Sequence, residues 1–158
     1  MLKDLLKSFV YAFQGIFACI KKERNLRIHI TVATYMFCYL GIYDWFEISR
    51  TQYAILFVMC ALVISGELVN TALERAVDLA SPGQNDIAKL AKDCAAGAVL
   101  VSAIFAVLCG IAIMFQPEAF RKMAEYYSTH IYMLFILAAS LVLSMFFIFK
   151  GTPGNKKG

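Results

Sequence analysis

The sequence predicts an all-α polytopic membrane protein, and three observations carry that prediction. Of its 158 residues 61% are apolar and only 16% charged, and the mean hydropathy is +0.68. Soluble domains are markedly more polar than this. One run, Cys94 to Phe115, continues for 22 residues without a charge, enough to cross a bilayer as a helix. The charges that remain are bunched, which leaves Tyr53 to Ser65 and Ile131 to Phe149 as further apolar stretches. One membrane domain is the natural count.

Residues 2 to 20 read as an amphipathic helix. Leu2, Leu5, Leu6, Phe9, Ala12, Phe13, Ile16, Phe17 and Ile20 fill one face, with Lys3, Lys7, Gln14 and Lys21 opposite. Aromatic apolar residues facing lysines suit a helix lying in the membrane interface. Ser8, Tyr11 and Gly15 form a third, less apolar face that could look toward a site. No cleavable signal peptide is legible at this end. The charged cluster KKERNLRIH follows, Lys21 to His29, where Glu23 is an acid among five bases.

A first transmembrane helix is predicted from Ile30 to about Ile48, closing on the interfacial aromatics Tyr43, Trp45 and Phe46. Thr51 and Gln52 turn the chain into a second helix. Ser81-Pro82-Gly83 ends that helix, and a third covers Cys94 to Phe115. On the third, Ala98, Ser102, Ala106 and Gly110 recur every fourth residue, a pattern that lets helix backbones approach closely in lipid. A polar loop from Glu118 to His130 leads to a fourth span, Ile131 to Phe149, and a basic, Gly-rich tail expected to be disordered. The five cysteines, 19, 38, 60, 94 and 109, stand singly with no CxxC and read as small buried packing residues.

Charge sets the orientation. With four spans and an inner N-terminus, six Lys and Arg precede the first span, three lie in the central hairpin and three in the tail. Twelve of 15 are then inside, and only Arg50, Arg121 and Lys122 outside. The hairpin from Gly66 to Asp93 is thus placed on the cytoplasmic side.

That hairpin holds the chemistry. Glu67, Asn70, Glu74 and Asp78 stand at offsets 0, 3, 7 and 11, within an arc of about 80° on one helix face about 16 Å long. Ionisable groups at membrane depth mark function by default. Lys89, Lys92 and Asp93 follow across the turn. Oxygen ligands without His/Cys pairs favour Mg²⁺ over zinc. A divalent cation, a lysine and a carboxylate partly inside the bilayer suit phosphoryl transfer to a lipid-borne hydroxyl, where catalysis is positioning plus charge neutralisation. No GxxxxGK[ST], GxGxxG or GxSxG occurs, and His29 and His130 are expected on opposite sides of the membrane. Two readings besides the kinase stay open on physics alone: a small ion-coupled transporter using the carboxylates, and a salt-bridged stripe with a purely structural role. Arg75 and Arg27 are few against so many acids, which weakens the structural reading.

The motifs ERNLRIH, ELVNTALERAVDLASP and AKDCAAGAV, in this order and without a gap from Glu67 to Asp93, resemble the prokaryotic diacylglycerol kinase family, most closely its undecaprenol kinase branch. The likeness covers about residues 5 to 115. It implies an interfacial N-terminal helix, three core transmembrane helices, and homotrimers with sites between subunits. It implies ATP and Mg²⁺ use, a lipid alcohol as acceptor, no nucleic acid, and a bacterial cell membrane. By position, Glu67 matches the catalytic carboxylate, with Asn70 beside it, and Glu23 and Glu74 match the metal-holding glutamates. Tyr11, Glu23, Glu74, Asp78, Gly83, Gln84, Asn85, Lys92 and Asp93 match nucleotide-site positions, and Ser8, Asn25 and Arg27 border the lipid. Asn85 stands where the family usually has histidine, and Asp4 where some members have arginine. The expected division is a kinase-like domain over 1–115, a loop with an additional transmembrane helix over 116–149, and a tail over 150–158. A site that needs Glu23 near Glu67 and Glu74 implies contacts between subunits.

Overall fold

The computed structural model describes residues 2–83 and 85–150, and helix is the only regular secondary structure among them. Gln84 and the tail from residue 151 lie outside the described residues. Six helices follow in order: α1 (Leu2–Lys22), α2 (Arg24–Ile42), α3 (Arg50–Ala80), α4 (Asp86–Met114), α5 (Pro117–Thr129) and α6 (Ile131–Phe149). Three of them, α3, α4 and α6, are long and apolar enough to cross a membrane. The shorter α2 falls short of that measure because Arg24, Asn25, Arg27 and His29 occupy its first two turns. It nonetheless runs alongside the others, antiparallel to both α3 and α6.

Two predicted boundaries move. The first span does not continue to Ile48 but stops at Ile42, and the chain turns through Tyr43 to Ser49 rather than at Thr51 and Gln52. Stacking explains the early stop: the Tyr43 and Trp45 rings lie 4.0 Å apart and nearly parallel. Residues two apart point about 200° away from each other on a helix, so that packing needs a non-helical backbone, and Tyr43 is extended. Ser49 then starts α3 with a reciprocal capping box, its side chain accepting from the Gln52 N–H while Gln52 Oε1 accepts from the Ser49 N–H. Residues 118 to 130, predicted as a polar loop, instead form α5. Pro117 opens it at the first turn, and Ala119, Phe120, Met123 and Tyr127 recur at helical spacing.

The packed core lies at the end away from the acidic stripe. Leu40, Leu56 and Ile113 are its buried centre, flanked by Met36, Phe37, Phe46, Ile48, Tyr53 and Met114. Gln116 clamps the same end by donating to the Glu47 carbonyl at 3.1 Å and accepting from the Glu47 N–H at 3.0 Å. Tyr127 on α5 hydrogen bonds to Tyr39 on α2 at 2.6 Å. Desolvation first, and this bond second, push its phenol above the usual tyrosine range.

The cysteine expectation is corrected. Cys38 and Cys94 are exposed, Cys19, Cys60 and Cys109 half-buried, and all five are free thiols. In a membrane chain an apolar neighbourhood in sequence marks the lipid-facing surface as readily as the interior. The same applies to α1 and α6, neither of which contains a buried residue. α1 touches the rest of the chain only sparsely, as a helix resting on an interface would.

Candidate active site

α3 is a single unbroken helix of 31 residues, so the apolar span and the acidic stripe share one rigid rod. The register places Glu67 deepest. It is buried at 5% exposure, with Thr71 also buried one turn below and Val63 one turn above. A carboxylate in that position needs a partner. The structure supplies His29 of α2, whose Nε2 lies 3.5 Å from Glu67 Oε1. Glu67 also lies within electrostatic reach of Glu23 and Glu74. His29 is the residue that sequence reasoning missed. Its signal was its place in the ERNLRIH cluster, one turn before the first apolar run, opposite a stripe short of cations.

Toward the end of α3 the partners become more exposed. Asn70 Nδ2 donates to Glu74 Oε1 at 2.9 Å, which leaves Asn70 Oδ1 as a buried acceptor without a hydrogen-bond partner. Arg75 pairs with Glu23 at 3.3 Å. Across the turn, Lys92 of α4 reaches Asp78 at 2.7 Å; this exposed pair is screened by salt and fixes geometry more than stability. α1 and α2 are separated by one non-helical residue, and that residue is Glu23, with extended backbone angles. The elbow therefore points its side chain at α3.

The chain thus gathers Glu23, Glu67, Asn70, Glu74, Asp78 and Lys92 at one end without help from a second copy. The expectation that Glu23 meets the stripe only through subunit contacts is not needed for these residues. Ser8 and Tyr11 stand apart on the exposed part of α1, and Ser8 Oγ donates to the Asp4 carbonyl. Asn25, Gly83 and Asp93 are exposed at the same end as the stripe. Asn85 caps α4, its Oδ1 accepting from the N–H groups of Ile87 at 2.8 Å and Ala88 at 3.3 Å. Arg27 does not border open lipid. It is buried at 4% exposure, and its guanidinium is spent on backbone carbonyls.

A divalent cation fits these donors. No group of three or more His, Cys, Asp or Glu side chains converges as a metal cage among the described residues. Magnesium rarely needs one, because it takes one or two carboxylates and completes its shell with water and phosphate oxygens. Glu23 and Glu74 are the two carboxylates flanking Glu67 that could give such oxygens, and the orphaned Asn70 Oδ1 is a further acceptor next to Glu74.

Apolar helices that carry a buried carboxylate beside further oxygen-bearing side chains at one end suit a membrane-embedded transferase and an ion-coupled transporter alike, and the relatives separate the two. The family profile for prokaryotic diacylglycerol kinase matches residues 10–114. A diacylglycerol kinase of Synechocystis is 40% identical over 116 residues, covering 72% of this chain and 64% of that protein. An undecaprenol kinase of Bacillus subtilis is 38% identical over 118 residues, or 74% of this chain and 92% of that one. A diacylglycerol kinase of Helicobacter pylori is 29% identical over 103 residues, 65% of this chain and 78% of its own length. The chain belongs to the prokaryotic diacylglycerol kinase family, and with it to the lipid kinases that phosphorylate an alcohol. Nothing in these relatives supports the transporter reading.

The two roles open to Asn85, cap and nucleotide contact, separate by substitution. Asn85→Ala should destabilise the protein by about 1 kcal/mol, and Asn85→Ser should recover most of that loss. Thermal unfolding in detergent micelles checks the first effect. Nucleotide titration of both variants checks the second, with affinity expected to follow the cap rather than the amide.

Proposed function

We propose that this protein transfers the γ-phosphoryl group of ATP to the hydroxyl of undecaprenol, with Mg²⁺ as the metal. The observation that carries this reading is the buried Glu67, set within family-matched helix and flanked by Glu23, Glu74 and His29. Undecaprenol is favoured over diacylglycerol because the match to the Bacillus undecaprenol kinase spans 92% of that relative. The 40% identity to the Synechocystis diacylglycerol kinase makes diacylglycerol the second candidate.

Glu67 lies seven residues deeper than Glu74, about 10 Å along the axis. A lipid hydroxyl reaches Glu67 from the bilayer, while a nucleotide reaches Glu74, Asp78 and Lys92 from water. In the transfer step the acceptor oxygen bonds to the γ-phosphorus and the bond to the bridging oxygen breaks, releasing ADP. The hydroxyl proton passes to Glu67 as general base. His29, 3.5 Å from Oε1, would steady one carboxylate oxygen while the other takes the proton. Asn70 orients Glu74, and bound metal would neutralise phosphate charge next to Glu23 and Glu74. Lys92, fixed by Asp78, adds a further positive group for the nucleotide.

Each acceptor should be tested separately in mixed micelles with labelled ATP, and undecaprenol should give the higher kcat/KM. Glu67→Gln should collapse kcat and leave Mg·ATP affinity within a few-fold, since a base acts only in the chemical step. Glu74→Gln should weaken metal dependence and nucleotide binding together, with partial rescue at high Mg²⁺. Equal loss of ATP binding in both variants would sink the division of roles, and label in neither lipid would sink the activity.

We further propose that the site faces the cytoplasm of a multi-pass bacterial membrane protein, on the strength of the 12-to-3 charge count. A cysteine at Ser128, in a background without native cysteines, should react with an impermeant thiol reagent in intact cells. Protection until lysis would reverse the orientation.

Assembly as a homotrimer rests on the resemblance and on the exposed α1, whose Ser8 and Tyr11 sit off the chain's own stripe. Subunits carrying Tyr11→Ala mixed with subunits carrying Glu74→Gln should regain activity if α1 serves a neighbour's site. Glu23→Gln mixed with Glu74→Gln should not, if Glu23 serves the α3 of its own chain, where it pairs with Arg75. Recovery in the second mixture alone would contradict this arrangement.

A further inference from the structure

α6 lies beyond the family match, which ends at residue 114, and it contributes no side chain to the carboxylate cluster. Its attachment is nevertheless specific. Arg27 Nε and Nη2 donate to the Ile148 carbonyl at 3.0 and 2.8 Å. Nη1 of the same guanidinium donates to the carbonyls of Ile20 at 2.8 Å and Lys21 at 3.1 Å. These acceptors are among the last carbonyls of two helices, α6 and α1, which have no partner within their own helix. Both are also negative dipole ends, so one buried cation satisfies two helix termini at once. Further up, Tyr35 of α2 bonds to Ser140 at 2.9 Å and to Ser144 at 3.0 Å, holding α6 along its length.

The α1 carbonyls that Arg27 grips lie two and three residues before Glu23, the lone non-helical residue of the elbow. Glu23 in turn meets Arg75 of α3. A continuous path therefore runs from the end of α6, through Arg27, to the elbow and the acidic stripe. We propose that Arg27 is a positioning residue through which α6 acts as a strut, fixing the α1–α2 elbow so that Glu23 stays against α3. The planar fork of arginine matters here, because a lysine cannot serve three carbonyls in fixed directions. The functional half of this inference rests on the assignment of Glu23 to the metal and nucleotide site; the strut itself does not.

The test uses the full-length protein in detergent or nanodiscs. Spin labels at Phe13→Cys on α1 and Leu62→Cys on α3, in a background without native cysteines and diluted with unlabelled chains, report the elbow as a distance distribution. The parent should give one narrow distance, and Arg27→Gln should broaden it. Apparent Mg·ATP affinity should then fall by about 10- to 100-fold, as for groups that orient metal ligands, while the lipid KM changes by less than about threefold. Arg27→Lys should fall between. The triple variant Tyr35→Phe, Ser140→Ala, Ser144→Ala loosens α6 without touching Arg27 and should shift both readouts in the same direction. It carries the test should Arg27→Gln not fold.

An unchanged distance distribution in these variants overturns the strut. A broadened distribution with unchanged Mg·ATP dependence overturns its link to the site, as does a rise confined to the lipid KM. Glu23→Gln measured alongside separates the readings: normal Mg·ATP dependence there means the assignment of Glu23 has failed, and the distance arm still decides the strut.

Discussion

The structure depends on α3 being one unbroken rod that carries carboxylates out of an apolar layer. A helix register cannot be bent to hide Glu67, Glu74 and Asp78 separately, so the remaining elements must bring counter-charge and hydrogen bonds to a fixed line. α2 brings His29 and α4 brings Lys92, while the elbow adds a further acid, Glu23, which pairs with Arg75 of α3 itself. Each of these contacts is weak or long by itself. Their value is that they are spaced along the stripe as the acids are, from the deepest residue to the most exposed.

The two ends of the bundle are held by different physics. One end has the tight apolar cluster of Leu40, Leu56 and Ile113, the Gln116 clamp and a set of stacked aromatic rings. The other adds a line of polar contacts along α3 to a thinner apolar packing around Leu26, Val63 and Val99. Packing concentrated away from the acidic end leaves the polar side chains there with fewer apolar neighbours to fix them. Arg27 departs from this division: it is a rigid polar element placed at the reacting end, and it joins α1 to α6 there.

Much of the site is legible in sequence because helical spacing and charge scarcity are both read directly from residue order. Glu67, Asn70, Glu74 and Asp78 fall on one face at any plausible helix length, and the uncharged runs of α4 and α6 fix those helices without further information. α5 is not legible, since a polar segment with scattered aromatics satisfies loop and amphipathic helix alike until Pro117 and the aromatic cluster decide it. The end of α2 is overrun because Tyr43 and Trp45 look like interface residues of a continuing helix, whereas their stacking needs a turn. The family resemblance places Arg27 at the lipid border, and residue order alone shows it only as one of the few cations near the acids. Its main partner is a backbone carbonyl 121 residues away, and a carbonyl leaves no trace in residue identity.

The aromatic cluster also gives the molecule a built-in optical probe. Trp45 is the single tryptophan of the chain, buried at 8% exposure between Tyr43, Tyr39, Tyr126 and Tyr127. Its emission senses the far end of the bundle, where those four tyrosines surround it. A change in that signal when nucleotide or metal binds at the acidic end reports repacking at the far end of the bundle, whereas a lipid in the groove lined by Tyr39, Tyr43 and Tyr127 would reach the cluster directly.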